Sequence, residues 1–142
     1  GRTFEAASFL RRAGADTAEV KKLFQNDLEG TIAKYAIIQN AKLYREKIAI
    51  AVVDHTVGRI VAAQAADELL NIIGIDTSFV LYPDGERVII SARSMGDTNV
   101  QVMLEKLGGG GNAAAAGGQI SGKSLSQVAT ELTQAIDQYL EG

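Results

Sequence analysis

The chain has 142 residues, no cysteine, a single histidine (His55) and a formal net charge of −3. Without cysteine there is no disulfide framework and no thiolate metal site, and one histidine cannot build a polyhistidine centre. The acidic balance argues against duplex DNA as the main partner, although a local basic patch can still grip a small anion. Hydrophobic residues make up 46% and aromatics 6%, so the core of this one domain, with a leading appendage, is aliphatic and alanine-rich. No apolar run approaches the roughly 18 residues needed to span a bilayer and no signal-peptide pattern is present, so the chain is expected to be soluble.

Residues 1–13 read as a helix capped by Thr3, with Phe4, Ala6, Ala7 and Leu10 on its apolar side and Gly14 ending it. A chain that opens directly on a helix is expected to be a piece of a longer protein. Asp16 and Glu19 resemble a capping box, followed by Val20, Leu23 and Phe24 at helical spacing. Asn26-Asp27 breaks that pattern, and a second helix is expected from about Leu28 to Leu43, with Ile32, Tyr35, Ala36 and Gln39 on one side.

Ile48 to Val53 is a continuous apolar run rich in β-branched residues, which predicts a strand buried on both faces. It ends at Asp54-His55, where a lone histidine reads as a surface or hydrogen-bonded residue rather than a ligand. Arg59 to Ile73 is helical, with Ala62, Ala66, Leu69, Leu70 and Ile73 inward and Gln64, Asp67, Glu68 and Asn71 on a solvated face. Thr77 to Tyr82 is a strand, Pro83-Asp84-Gly85 a turn, and Glu86 to Ala92 the returning arm, which brings Arg93 to its end.

Val100, Met103, Leu104 and Leu107 fall at i, i+3, i+4 and i+7, one face of a short packed helix. Gly108, Gly109, Gly110 and Gly111 end that helix and lead to Asn112 and an alanine run. Glycines reach positive φ and come close to a ligand, successive N–H groups can form an anion-binding concavity, and Arg93 supplies a positive fork for a phosphate. On composition alone, residues 108–118 read equally as a flexible linker. Ala115 to Ile120 returns as an edge strand, Ser121-Gly122 turns, and Ser124 caps a last helix with Leu125, Val128, Leu132, Ile136 and Tyr139 in register. Alternating strands and helices around a buried strand predict an α/β fold, a mixed sheet packed with helices.

The pattern Arg93-Ser94-x-Gly96-x-x-Asn99-Val100, a short helix, then Leu107 with four glycines and Ala-Ala-Gly, resembles the DHHA1 half of the DHH phosphoesterase family. A separate match lies at Arg2-Thr3-Phe4-Glu5-Ala6-Ala7-Ser8, with Leu10, Arg11 and Gly14-Ala15-Asp16, which is similar to the end of the DHH half in the branch that hydrolyses cyclic di-AMP. Together with Gln64-Ala65-Ala66-Asp67, that first segment favours the cyclic di-AMP branch over relatives acting on single-stranded DNA or short RNA. The resemblance divides the chain into residues 1–43, a helical segment ending the DHH half plus a linker, and residues 44–142, a substrate-binding DHHA1 domain.

The resemblance implies that Arg93, Ser94, Gly108, Gly109, Gly110, Gly111 and Asn112 hold the substrate, a cyclic dinucleotide or short oligonucleotide. It implies no catalytic or metal-binding residue here. Manganese ions and the activated water are expected in the missing N-terminal DHH half, whose Asp and His motifs these 142 residues lack, so the fragment is expected to be inactive alone. The parent is expected to be anchored in the cell membrane with this part in the cytoplasm, and a homodimer stays open. The usual family pattern places histidine where Asn112 stands. Asparagine keeps a donor and an acceptor but cannot carry charge or deliver a proton. The alternatives are half of an oligoribonuclease or single-strand nuclease, and a non-enzymatic nucleotide-binding module.

Overall fold

The computed structural model describes residues 17–142, with side chains from residue 28 onward. The helix expected over residues 1–13 and its cap lie outside the described residues. The described residues fall into two compact units, one ending at Ala33 and the other running Lys34–Gly142. The described part of the first is helical. Helix α1 runs Thr17–Gln39, continuous through Asn26-Asp27. Two residues of middling propensity each cost a helix only about half a kcal/mol and do not end it.

The second unit is built on a six-stranded sheet ordered β1-β2-β3-β4-β6-β5. Its strands are β1 (Ala41–Tyr44), β2 (Ile48–Val52), β3 (Thr77–Asp84), β4 (Arg87–Ser94), β5 (Gly110–Gly111) and β6 (Ala115–Ser121). Only β2 and β3 pair parallel, across the connection through α2 (Arg59–Leu69). The other pairings are antiparallel. Helices α3 (Val100–Glu105) and α4 (Leu125–Glu141) complete the mixed α/β fold.

Because side chains alternate across a strand, each buried strand feeds two cores. On one face Ile50, Phe79, Leu81, Val88 and Ile90 meet Val100, Met103 and Leu104 of α3 and Val128, Leu132 and Ile136 of α4. On the other, Ala49, Ala51, Val80, Tyr82 and Ile89 meet Ala62, Ala65, Ala66 and Leu69 of α2, with Ile37 from the end of α1. The double burial expected for residues 48–53 is what the sheet requires. Small alanines on α2 let that helix lie close to the strands.

Several expectations are corrected. The helix expected to reach Leu43 stops at Gln39, where the Asn40 side chain donates to the Val52 carbonyl at 2.7 Å and fastens the helix end to β2. Ala41–Tyr44 is a strand instead. Helix α2 ends at Leu69, leaving Ile73 fully exposed rather than inward. Pro83 stays within β3 opposite Val88, and the turn is Gly85-Glu86, with Gly85 at φ 63. A glycine leading a two-residue hairpin loop matches strand twist in this way. Finally, β6 is not an edge: it lies between β4 and β5, and residues 110–111 and 115–121 are paired strands rather than a linker.

Candidate functional site

The register of β4, β6 and β5 assembles the candidate residues. Arg93 pairs with Ala115, and Ser91 pairs with Gly117, which also pairs with Gly110. The face carrying Arg93 therefore also carries Ala115, Gly117 and Gly110. Two strand spacings, about 10 Å, separate the β4 and β5 backbones on this face. Between them stand only a methyl group and glycine backbone.

Arg93 is held on its other side. Its Nε donates to Asp67 Oδ1 of α2 at 3.0 Å, and its Nη1 donates to the Ala92 carbonyl at 2.9 Å. The side chain is 22% exposed, so the fork is oriented but reachable. Asp67 belongs to the helix face read from the sequence as solvated. That face is solvated, with the Asp67 side chain 63% exposed, and within it Asp67 pairs with Arg93 and Glu68 with Lys34. These partners are distant in sequence, so helical periodicity alone could not reveal them.

Ser94 does not join this group. It follows Arg93, so it turns to the opposite face, is 6% exposed, and accepts from the Gly96 N–H at 3.4 Å. Its backbone N–H donates to the Ala114 carbonyl at 2.9 Å, tying the end of β4 to the loop after Asn112.

The four glycines have different reasons to be glycine. Gly108 has φ 85, its N–H reaches the Glu105 carbonyl, and the Gly109 N–H reaches the Leu104 carbonyl at 2.7 Å. That bond pair is a Schellman helix ending. A Cβ on Gly109 would lie 2.3 Å from the Gly117 carbonyl oxygen, and one on Gly111 would lie 2.5 Å from that of Ala115. Gly110 is the exception. Its φ is not positive, and an added Cβ would meet nothing within 4 Å. No internal contact demands glycine there, and its bare surface faces the same side as Arg93.

Asn112 makes the turn between β5 and β6. Its Oδ1 accepts from the N–H groups of Ala114 and Ala115, both at 2.9 Å, and its own N–H donates to the Ala115 carbonyl at 2.8 Å. The amide oxygen is thus committed to the fold, leaving the Nδ2 donors for other work.

Elsewhere, His55 Nδ1 lies 3.0 Å from Asp54 Oδ1 in an exposed pair, and that contact holds the Asp54 carboxyl below its usual range. Among the described residues no group of three His, Cys, Asp or Glu is placed to hold a metal ion. No helix among them is long and apolar enough to cross a membrane.

The family model of the DHHA1 domain matches residues 45–142. The chain is 42% identical over 146 residues to the cyclic-di-AMP phosphodiesterase GdpP of Bacillus subtilis, covering 99% of this chain and 22% of that protein. It is 40% identical to the cyclic-di-AMP phosphodiesterase PdeA of Listeria monocytogenes, again over 99% of this chain and 22% of the relative. The chain thus spans about a fifth of the length of these relatives. Among solved structures, an exopolyphosphatase-related protein from Bacteroides fragilis superposes with a TM-score of 0.70 at 21% identity, over 97% of this chain and 43% of that one. At that identity the likeness speaks for the fold.

Proposed function

Since the chain belongs to the DHHA1 family, we propose that it is the substrate-holding part of a phosphodiesterase that hydrolyses cyclic di-AMP to linear pApA. The observation that carries this reading is the face shared by Arg93 and Gly110, a cationic fork across a strip of backbone that no side chain covers. A phosphate lying on that strip would accept from the Arg93 fork and from the Asn112 Nδ2 donors. Asp67 would keep the fork aimed while leaving its Nη2 edge for the ligand. The two relatives described above support the cyclic adenine dinucleotide as substrate, since both are cyclic-di-AMP phosphodiesterases.

Two manganese ions would stabilise charge on the attacking and leaving oxygens of such a reaction. The described residues supply no donor set that fits them, so no chemical step is assigned to this chain. On this reading the metal-bearing half is a separate DHH domain, the 142 residues alone do not hydrolyse the substrate, and the longer parent is anchored in the membrane with this part in the cytoplasm.

Calorimetric titration of the chain with cyclic di-AMP, pApA, cyclic di-GMP and inorganic phosphate, without metal, tests the proposal. Saturable binding that prefers the adenine ligands and falls at least tenfold in Arg93→Ala is the expected result. Binding no better than inorganic phosphate, or preference for a short linear oligonucleotide over the cyclic one, would discard the cyclic di-AMP assignment.

A further inference from the structure

Across Arg93 from the glycine strip stands the Asp67 carboxylate of α2, whose charge opposes any phosphate held by the same fork. Aiming the fork does not by itself call for that charge. The Ala92 carbonyl already accepts from Nη1 at 2.9 Å, and a neutral amide oxygen could accept from Nε as a carboxylate does. Glu68, the other acidic residue of α2, is engaged by Lys34 at 3.5 Å and leaves Asp67 as the one that meets Arg93.

The Asp67 side chain is exposed, and among the described residues only its Oδ1 has a partner, the Arg93 Nε at 3.0 Å. A carboxylate brings acceptors and no donor. Its second oxygen is therefore an acceptor open to solvent, on the very group that touches the fork.

We propose that Asp67 reads the sugar of the ligand, its second oxygen accepting from a ribose 2′-hydroxyl. The inference rests on the phosphate reading given above. In a 3′,5′-linked nucleotide the 2′-hydroxyl sits on the carbon next to the one that bears the phosphate, so a donor accompanies every phosphate. A cation and an acceptor in contact match that pair. The Arg93 fork takes the phosphate while Asp67 takes the hydroxyl. That hydroxyl is what separates ribonucleotides from deoxyribonucleotides, and acidic side chains hold ribose hydroxyls in the dinucleotide sites of other folds. A deoxynucleotide brings Asp67 nothing but like charge, so its phosphate meets repulsion with no bond in return. The carboxylate thus turns a general phosphate fork into one selective for ribose.

The test is calorimetric titration of the 142-residue chain with cyclic di-AMP and with its bis-2′-deoxy counterpart. The parent is expected to bind the ribose form about tenfold more tightly or better, the worth of one hydrogen bond to a charged group. Asp67→Asn keeps an amide oxygen for Arg93 Nε and removes the charge. It should therefore abolish most of the ribose preference while binding the deoxy ligand as tightly as the parent does, or more so. Asp67→Ala should lose the preference as well, with both ligands weakened as the fork loosens. Both variants should melt close to the parent, because an exposed ion pair adds little to stability. The proposal is overturned if the parent binds the two ligands alike. It is overturned equally if both variants keep the parental ratio, which would leave Asp67 only as the positioning partner of Arg93. Equal binding of the two sugars, with cyclic di-AMP still preferred over cyclic di-GMP, removes the ribose reading and keeps the phosphodiesterase one. A ribose preference governed by Asp67 but equally strong for cyclic di-GMP does the reverse, and no binding of any cyclic ligand overturns both.

Discussion

Alanine at Gly109 and alanine at Gly110 are the same chemical change one residue apart, and they should have opposite effects. At Gly109 the new methyl would sit 2.3 Å from the Gly117 carbonyl oxygen and 3.0 Å from the Gly118 Cα. Both obstacles are backbone of a strand already paired to β4, so neither can rotate away. Bringing the closer contact to even 3.0 Å requires β5 and β6 to part by 0.7 Å, and the 2.7 Å bond from the Gly109 N–H to Leu104 stretches with them. Overpacking of this kind costs about 1–3 kcal/mol. At Gly110 the methyl meets nothing and the backbone is one any residue adopts. Alanine there should stabilise by about 0.4–1 kcal/mol, by restricting the unfolded chain. The two variants should then differ by about 1.5–4 kcal/mol, which moves urea midpoints apart by about 0.5 M or more at an ordinary m-value. Titration with cyclic di-AMP should give the converse order, with the more stable Gly110→Ala chain losing affinity at least tenfold because its methyl stands on the bare strip. Equal midpoints would refute close approach as the reason for glycine at Gly109. Parental affinity in Gly110→Ala would refute the strip as a ligand surface.

Asn112→Ala removes the acceptor for two backbone N–H groups and should cost about 1–2 kcal/mol in urea unfolding. Asn112→Asp, which keeps that acceptor, should stay near the parent in stability, and equal losses in both variants would show that the amide oxygen does not hold the turn. The Asp54 carboxyl, held below its usual range by His55, should titrate upward into the ordinary carboxylate range in His55→Ala when followed by NMR. Its folded pKa is depressed, so its small contribution to stability is present above the ordinary carboxylate range and fades as pH falls through the lowered value. An Asp54 titration unmoved by loss of the imidazole would contradict the pairing.

The apolar rhythm of the chain made the sheet and most helices readable. Ile48 to Val53, Thr77 to Tyr82 and the α3 stripe fall into place because burial on a face leaves a period that residues alone display. Strand β1 escaped because Ala-Lys-Leu-Tyr carries no β-branched residue, and its turn carries no glycine or asparagine. Arg45 and Glu46 take positive φ of 51 and 70 instead. Arg45 is anchored there by Asp137 at 2.8 Å and by Glu141 at 2.6 Å, while Tyr44 donates to Asp137 at 2.6 Å. A turn secured by a helix more than ninety residues away leaves no local mark. The candidate site divides in the same manner. Arg93 and the glycines stand out as a motif, yet only strand register separates Arg93 from Ser94, and only neighbouring backbone separates Gly110 from the glycines beside it.

The lengths of the outer strands decide how this sheet can associate. One margin, β1, offers four residues including Lys42, and the other, β5, offers two glycines. Natural sheets avoid fusing with their neighbours by keeping margins short and charged. A second chain that tried to extend this sheet by strand addition would find too few free amides and carbonyls to hold it. Any association of the described unit would therefore have to use side-chain surfaces rather than the margins of the sheet.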